Sequence, residues 1–287
     1  MVLELLINSD KLRRIPGLMF IDAVILTAIS IFFAVFLFPN TNTSIAVLAF
    51  ITIGAVPLFN KLYSRDSYLL NYDKPFFKRH KKTIYLLLWF FLGIFATYVV
   101  AYFVIPQATS ANIFSVQFGE INGIENIQQS ISTGNFIGGS NHYAVFKYVF
   151  FLILINNLLV VLSATLLSFF YGAGGLFLVA WNSSILAAVI VQDISISFSG
   201  FSGGLLSILN GIWNMFLNFL SYLPHGLPEI LAYLIVSVTG AILARDLFRG
   251  LFSTDFKWVA FVDFLKMFLL ALLLLAIGAI IEATYFL

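Results

Sequence analysis

Residues 78–105, KRHKKTIYLLLWFFLGIFATYVVAYFVI, decide what kind of protein this chain makes. A basic cluster, with Lys78, Arg79, Lys81 and Lys82 around His80, stands directly before an uncharged apolar run that ends at Ile105. A helix needs about 20 apolar residues to cross roughly 30 Å of hydrocarbon, and this run is long enough. It does not alternate apolar and polar residues, so a transmembrane β-strand is excluded. Basic residues beside a span stay on the cytoplasmic side, which gives this one a direction. The same four cations suit anionic lipid head groups, so Lys78, Arg79, Lys81 and Lys82 are candidate head-group contacts.

The pattern recurs along the chain, at residues 18–38, 44–63, 146–170, 174–191, 228–244 and 263–285. With 61% hydrophobic and 10% charged residues, the composition lies far outside that of a soluble domain, which averages about 25% charged. The expected fold is therefore all-α, a polytopic bundle of about seven spans. The first run is longer than the apolar core of a cleaved signal peptide, which is about 7–15 residues, and reads as a retained span. The organisation expected is an N-terminal transmembrane hairpin (1–63), a basic cytoplasmic loop (64–83) and a transmembrane core (84–287) with an external loop at 106–143.

Counting Lys and Arg orients the bundle. With the N-terminus inside, Lys11, Arg13, Arg14, Lys61, Arg65 and the cluster at 78–82 all fall inside. Arg245, Arg249, Lys257 and Lys266 follow them only if seven spans are counted, which places the C-terminus outside. The segment 204–222 must then not cross. Its Ser207, Asn210, Asn214, Asn218 and Ser221 share one helix face, opposite Leu, Trp and Phe. It reads as a re-entrant or interfacial helix.

That segment leads into Pro224-His225-Gly226-Leu227-Pro228-Glu229, an imidazole and a carboxylate between prolines beside lipid. Ionisable groups in a membrane are costly and mark a function or a structural device. Pro228 suits the first turn of a helix. Glu229 would then meet the positive end of the helix dipole, and His225 would cap free N–H groups. Pro224, Gly226 and Pro228 are accordingly candidate helix-break positions. Asn156 and Asn157 in the fourth run, and Asn182 in the fifth, could share a polar layer if those helices pack antiparallel. Gly172, Gly174 and Gly175 between them would allow a tight turn or close helix approach. Helix glue and a polar cavity both remain open for the asparagines. Asp22 and Glu282 read as boundary residues.

These residues resemble the stage II sporulation protein M family of membrane proteins. The resemblance is carried by Asn156-Asn157, the glycine-rich turn at 172–175, Asn182 in the next span, and Pro-His-Gly-x-x-Glu at 224–229. It covers about residues 84–287, with Asn182-Ser183 where the family has Asn-Gly. What the resemblance implies is a non-enzymatic membrane protein. The family's namesake takes part in a complex that recruits cell-wall hydrolases, so an envelope or cell-wall-associated protein partner for the external loop is implied as well.

Function classes narrow accordingly. With no cysteine and three histidines, two of them expected in loops on opposite sides, neither a His-Glu-x-x-His zinc site nor a thiolate site can be built. No cofactor is expected. A net charge of +2 does not describe a nucleic-acid surface. A membrane scaffold or assembly factor asks least of the sequence. A channel or transporter using Asn156, Asn157, Asn182, His225 and Glu229 is the alternative. An intramembrane hydrolase built on Ser199 or Ser202 with His225 is a third. The glycines could also pack copies of the chain into a homo-oligomer.

Overall fold

The computed structural model describes residues 9–39, 43–65, 76–132, 142–171, 174–199, 205–248 and 254–284. Among these residues there are ten helices and no strand: α1 (Ser9–Arg14), α2 (Leu18–Leu37), α3 (Thr43–Arg65), α4 (Phe76–Val104), α5 (Gln107–Ile113), α6 (Ser115–Ser132), α7 (His142–Tyr171), α8 (Gly175–Ser199), α9 (Leu205–Phe248) and α10 (Thr254–Thr284). Seven of them, α2, α3, α4, α7, α8, α9 and α10, are long and apolar enough to cross a membrane. Large side chains such as Phe36, Ile53 and Val104 stay exposed on the bundle's outside. In lipid that exposure carries no hydrophobic penalty, so helix contacts must come from close packing and hydrogen bonds instead.

Helix α9 is the pillar of the second half. It packs on α7, α8 and α10 and reaches α4 and α3. Every residue from Ala232 to Ala244 is buried. A helix apolar on all sides belongs in a core, and that is where this stretch sits. Helix α8 joins the halves, lying against α4 and α3 on one side and α9 on the other. The junction depends on small residues. A Cβ on Gly175 would lie 2.2 Å from Ser168 Oγ and 2.9 Å from Ser237 Oγ. One on Gly174 would lie 2.4 Å from the Leu167 carbonyl oxygen, at the turn between α7 and α8. Gly172 lies outside the described residues.

Arg245 Nη1 donates to the Asn60 carbonyl at 3.4 Å, which brings the C-terminal ends of α3 and α9 to the same end of the bundle. Lys61, Lys81 and Lys82 are exposed, while Lys78 and Arg79 belong to the first turn of α4 and their side chains lie outside the described residues. His80, expected in a loop, is buried on α4.

Two elements differ from the sequence expectation. First, 204–222 is no separate re-entrant helix. From Leu205 it is continuous with the sixth span, a 44-residue helix about 66 Å long at 1.5 Å per residue. Pro224 and Pro228 lie inside it, and a Cβ on Gly226 would meet nothing within 4 Å. Proline is tolerated within membrane helices because neighbours and local adjustment satisfy the freed carbonyls.

Second, the described part of 106–143, expected as a loop that could meet a partner, packs against the bundle. Helices α5 and α6 form an elbow that folds back into the bundle, with Ile113 and Phe114 fully buried. The Phe114 ring meets Tyr98 edge-on at 5.4 Å and Tyr102 at 5.6 Å. Gln117, also fully buried, accepts a hydrogen bond from Ser44 Oγ at 2.7 Å and donates to Ser184 Oγ at 2.9 Å. Ser184 stands near the middle of the apolar stretch Gly175–Ile196 and Ser44 at the start of Thr43–Ser64, so Gln117 bridges the middle of one stretch and the end of another. Residues 133–141 lie outside the described residues.

Replacing Gln117 by Leu strands Ser44 and removes the tie to Ser184. An unsatisfied buried hydroxyl costs about 1–3 kcal/mol. Amide hydrogen exchange across 115–122 is expected to accelerate more than tenfold, while exchange in 232–244 stays unchanged.

Candidate functional site

Asn157 stands midway along the apolar stretch Val145–Ser168 of α7 and is buried. Its carboxamide has one donor group and one acceptor, and both are used on α9. Tyr233 Oη donates to Asn157 Oδ1 at 2.8 Å. Asn157 Nδ2 donates to Glu229 Oε1 at 2.5 Å. Glu229 and Tyr233 are four residues apart, one helical turn, so a single asparagine can span both. The result is a directed chain, phenol to amide to carboxyl, that ties α7 to α9.

Helix α10 closes the third side. Gly278 packs against this turn of α9: a Cβ there would lie 3.0 Å from Glu229 Cγ and 3.1 Å from the His225 carbonyl oxygen. A larger residue would push α10 away from the carboxyl. Glu282 follows Gly278 by one turn on α10 and is half-buried. His225 lies one turn before Glu229, with its ring edge-on to Tyr222 at 6.0 Å. Three helices therefore meet at one carboxyl, one amide, one phenol and a glycine.

The expected polar residues come together only in part. Asn157, His225 and Glu229 share this junction. Asn156, one residue earlier and about 100° around the helix, is exposed on the bundle surface. Asn182 is half-buried, and its Nδ2 donates at 2.7 Å to the Leu178 carbonyl of its own helix. The shared asparagine layer does not form, because each of these amides has a different environment. The capping roles drawn for His225 and Glu229 also fall, since both stand in the interior of α9, far from its N-terminus.

Sequence reasoning missed Tyr233 and Gly278; Glu282, read as a boundary residue, lies two residues from the end of the apolar stretch Phe261–Thr284. A signal was present for each: Tyr233 follows Glu229 by four residues, and Gly278 precedes Glu282 by four. Among the described residues, no group of three His, Cys, Asp or Glu side chains could hold a metal ion.

Seven helices long and apolar enough to cross a membrane, two of them tied by amide, carboxyl and phenol groups, define a polytopic integral membrane protein. The family described as Stage II sporulation protein M matches residues 86–285, from early in α4 to beyond α10, and the chain belongs to that family. Comparison with curated proteins and with solved structures gives no match.

The junction makes a measurable prediction. Asn157→Leu leaves Glu229 and Tyr233 without their partner, whereas Asn157→Leu combined with Tyr233→Phe removes one stranded hydroxyl. Interhelical hydrogen bonds in membranes average about 0.6 kcal/mol and reach about 1.7. A double-mutant cycle by unfolding in mixed micelles should give a favourable Asn157–Tyr233 coupling in that range. Strict additivity would remove the hydrogen bond from the account.

Proposed function

We propose that this protein is a non-enzymatic membrane scaffold or assembly factor of the cell envelope, lying in the cell membrane with its N-terminus cytoplasmic and its C-terminus external. The observation that carries this reading is the first half of α9. Between Leu209 and Leu223 it exposes Leu209, Trp213, Phe216, Leu217 and Leu220, while Gly211 is buried. Asn210, Asn214 and Asn218 are exposed beside them. At about 66 Å, the helix is twice as long as the roughly 30 Å hydrocarbon layer requires.

An uncharged helix with a row of amides suits one kind of occupant. Amides hydrogen-bond across helices in lipid, and the apolar residues supply contact area. The partner we assign is an apolar helix of another envelope membrane protein. The polar junction around Asn157 supports this reading in a second way. Its amide is committed to the fold at both ends, and Gly278 seals α10 against Glu229. The functional surface is then the first half of α9, while 107–122, folded into the bundle, serves the architecture.

A photo-crosslinker at Trp213 in living cells tests the assignment. The expected product is an adduct with one membrane-spanning protein, lost in Asn214→Leu/Asn218→Leu and retained in Glu229→Gln. An adduct with a second copy of the chain would replace the scaffold with a homo-oligomer. Adducts with lipid alone would overturn the reading.

One observation favours a channel or transporter instead: the Glu229 carboxyl is hydrogen-bonded to Asn157 midway along the apolar stretch of α7, and ionisable groups there mark ion and proton pathways. Purified protein in liposomes separates the two readings. Selective proton or cation flux abolished by Glu229→Gln would establish transport and displace the scaffold.

A further inference from the structure

Helices α2 and α4 run side by side in the same direction. Phe20 meets Trp89 edge-on at 6.2 Å, and a Cβ on Gly93 would lie 2.6 Å from both Ala23 Cβ and the Phe20 carbonyl oxygen. One turn nearer the start of α4, Tyr85 meets Trp89 edge-on at 6.1 Å, and 48% of Tyr85 is exposed. Lys81 lies one turn before Tyr85 with Lys82 beside it, and both are exposed. Lys81, Tyr85 and Trp89 therefore form one row along α4, about 12 Å long at 1.5 Å per residue. Past the rings, Val24 and Ala28 extend the row of Phe20 on α2, and Ala96 extends that of Trp89 on α4. None of the three is buried. The seam thus passes from cations through aromatic rings to small apolar side chains.

Because α2 and α4 are parallel, the short α1 that precedes α2 packs at this same end, against α3 and α4. Lys11 and Arg14 on α1 are exposed, while Leu12 between them is buried. The two segments that carry this end, 1–17 and 60–83, hold ten Lys and Arg residues. Against them stand four acids, Glu4, Asp10, Asp66 and Asp73. The stretch 245–266, which starts at the same end with Arg245 against Asn60, is almost balanced, with four basic and three acidic residues. The positive excess is thus fixed by the sequence and survives a full count of the neighbouring acids.

We infer that the seam between α2 and α4 is a binding site for one anionic glycerophospholipid. Its phosphodiester lies at Lys81 and Lys82, its glycerol level with Tyr85, and one acyl chain against Phe20 and Trp89. Basic segments beside a span attract anionic head groups. Tyr and Trp favour the depth between head group and chain because their rings are amphipathic. The close approach at Gly93 fixes both walls before any lipid arrives, which lowers the ordering cost of binding. A soluble phosphodiester would gain the charge without the apolar seam, and a zwitterionic lipid the seam without a net charge. A lipid of net negative charge gains both. The site goes beyond the scaffold reading and is independent of which side of the membrane this end faces.

The test is native mass spectrometry of the full chain in micelles titrated with phosphatidylglycerol, with phosphatidylcholine of the same chains as reference. One phosphatidylglycerol is expected to be retained saturably, about tenfold more tightly than phosphatidylcholine. Lys81→Gln/Lys82→Gln is expected to remove that preference. Tyr85→Ala, which leaves every charge in place, is expected to weaken retention about threefold or more, whereas a diffuse basic surface would not respond to it. Lys147→Gln, which removes one cation from α7, is expected to change nothing. All four substituted positions are exposed, so the variants keep the fold. Equal retention of the two lipids overturns the inference. So does retention that the double lysine variant or Tyr85→Ala leaves unchanged, or a loss in Lys147→Gln as large as in the double variant. Displacement by an equal concentration of glycerophosphoglycerol, the head group without chains, would replace the lipid with a soluble phosphodiester and overturn it too.

Discussion

Inside a bilayer no water takes up a stranded donor or acceptor, and each such group costs several kcal/mol. The architecture of this protein follows from that constraint. It holds two buried polar knots, and each ties helices that apolar packing alone would leave free to slide. The Tyr233–Asn157–Glu229 chain locks α7 to α9 and, through Gly278, seats α10. The Ser44–Gln117–Ser184 chain locks α3 and α8 around the inserted elbow. The registers of both halves are set by hydrogen bonds with defined geometry, because lipid-facing Phe and Leu gain almost nothing by choosing one neighbour over another.

The two knots differ in kind. The one at Gln117 is neutral. The one at Asn157 contains an ionisable group, the Glu229 carboxyl. Ionisable groups in a membrane are expensive, and a fold that needed only interhelical glue could have used another amide. Retaining Glu229 at this junction is the feature that keeps transport in contention. Against it stands the close fit of Gly278, where even a methyl group would crowd Glu229 Cγ. Helix α9 also runs unbroken past the site, whereas transporter sites are typically formed by discontinuous helices. Packing and continuity together outweigh the charge argument and favour a structural junction.

How much of this was legible in the sequence depends on the distance over which each property is decided. The seven spans were legible because each depends on its own run of residues, and all but the sixth, which starts far earlier than expected, match the expected runs closely. The family was legible from short motifs, and the match over 86–285 bears it out. The course of 204–222 was not. Prolines at 224 and 228 signal a break in a local reading, yet the structure carries one helix through both. The asparagines failed for a related reason. Adjacent positions 156 and 157 point about 100° apart, and nothing local says which of them meets Glu229. Tyr233 and Gly278 needed the pairing of α9 with α7 and α10, which only the assembled bundle supplies. The elbow was hidden most deeply, since its polar composition at 106–132 reads as exposed loop until Gln117 finds its partners.

Inserting polar sequence into the bundle explains a further asymmetry. An elbow rich in Asn, Gln and Ser cannot enter hydrocarbon unless protein surrounds it. Ser44, Ser184 and the aromatic faces of Tyr98 and Tyr102 are that surround, and they fix where α6 must leave. Its exit lies beside the ends of α4 and α8, where Asn122 is exposed and Gln192 and Ser195 are half-buried beside Tyr102 and Phe118. The cleft that these residues line is thus a geometric consequence of seating Gln117. The same reasoning separates it from the first half of α9, where exposed amides stand beside exposed Leu and Phe. One polar surface is an open cleft walled by three helices of its own chain. The other is open along a helix and sized for another helix.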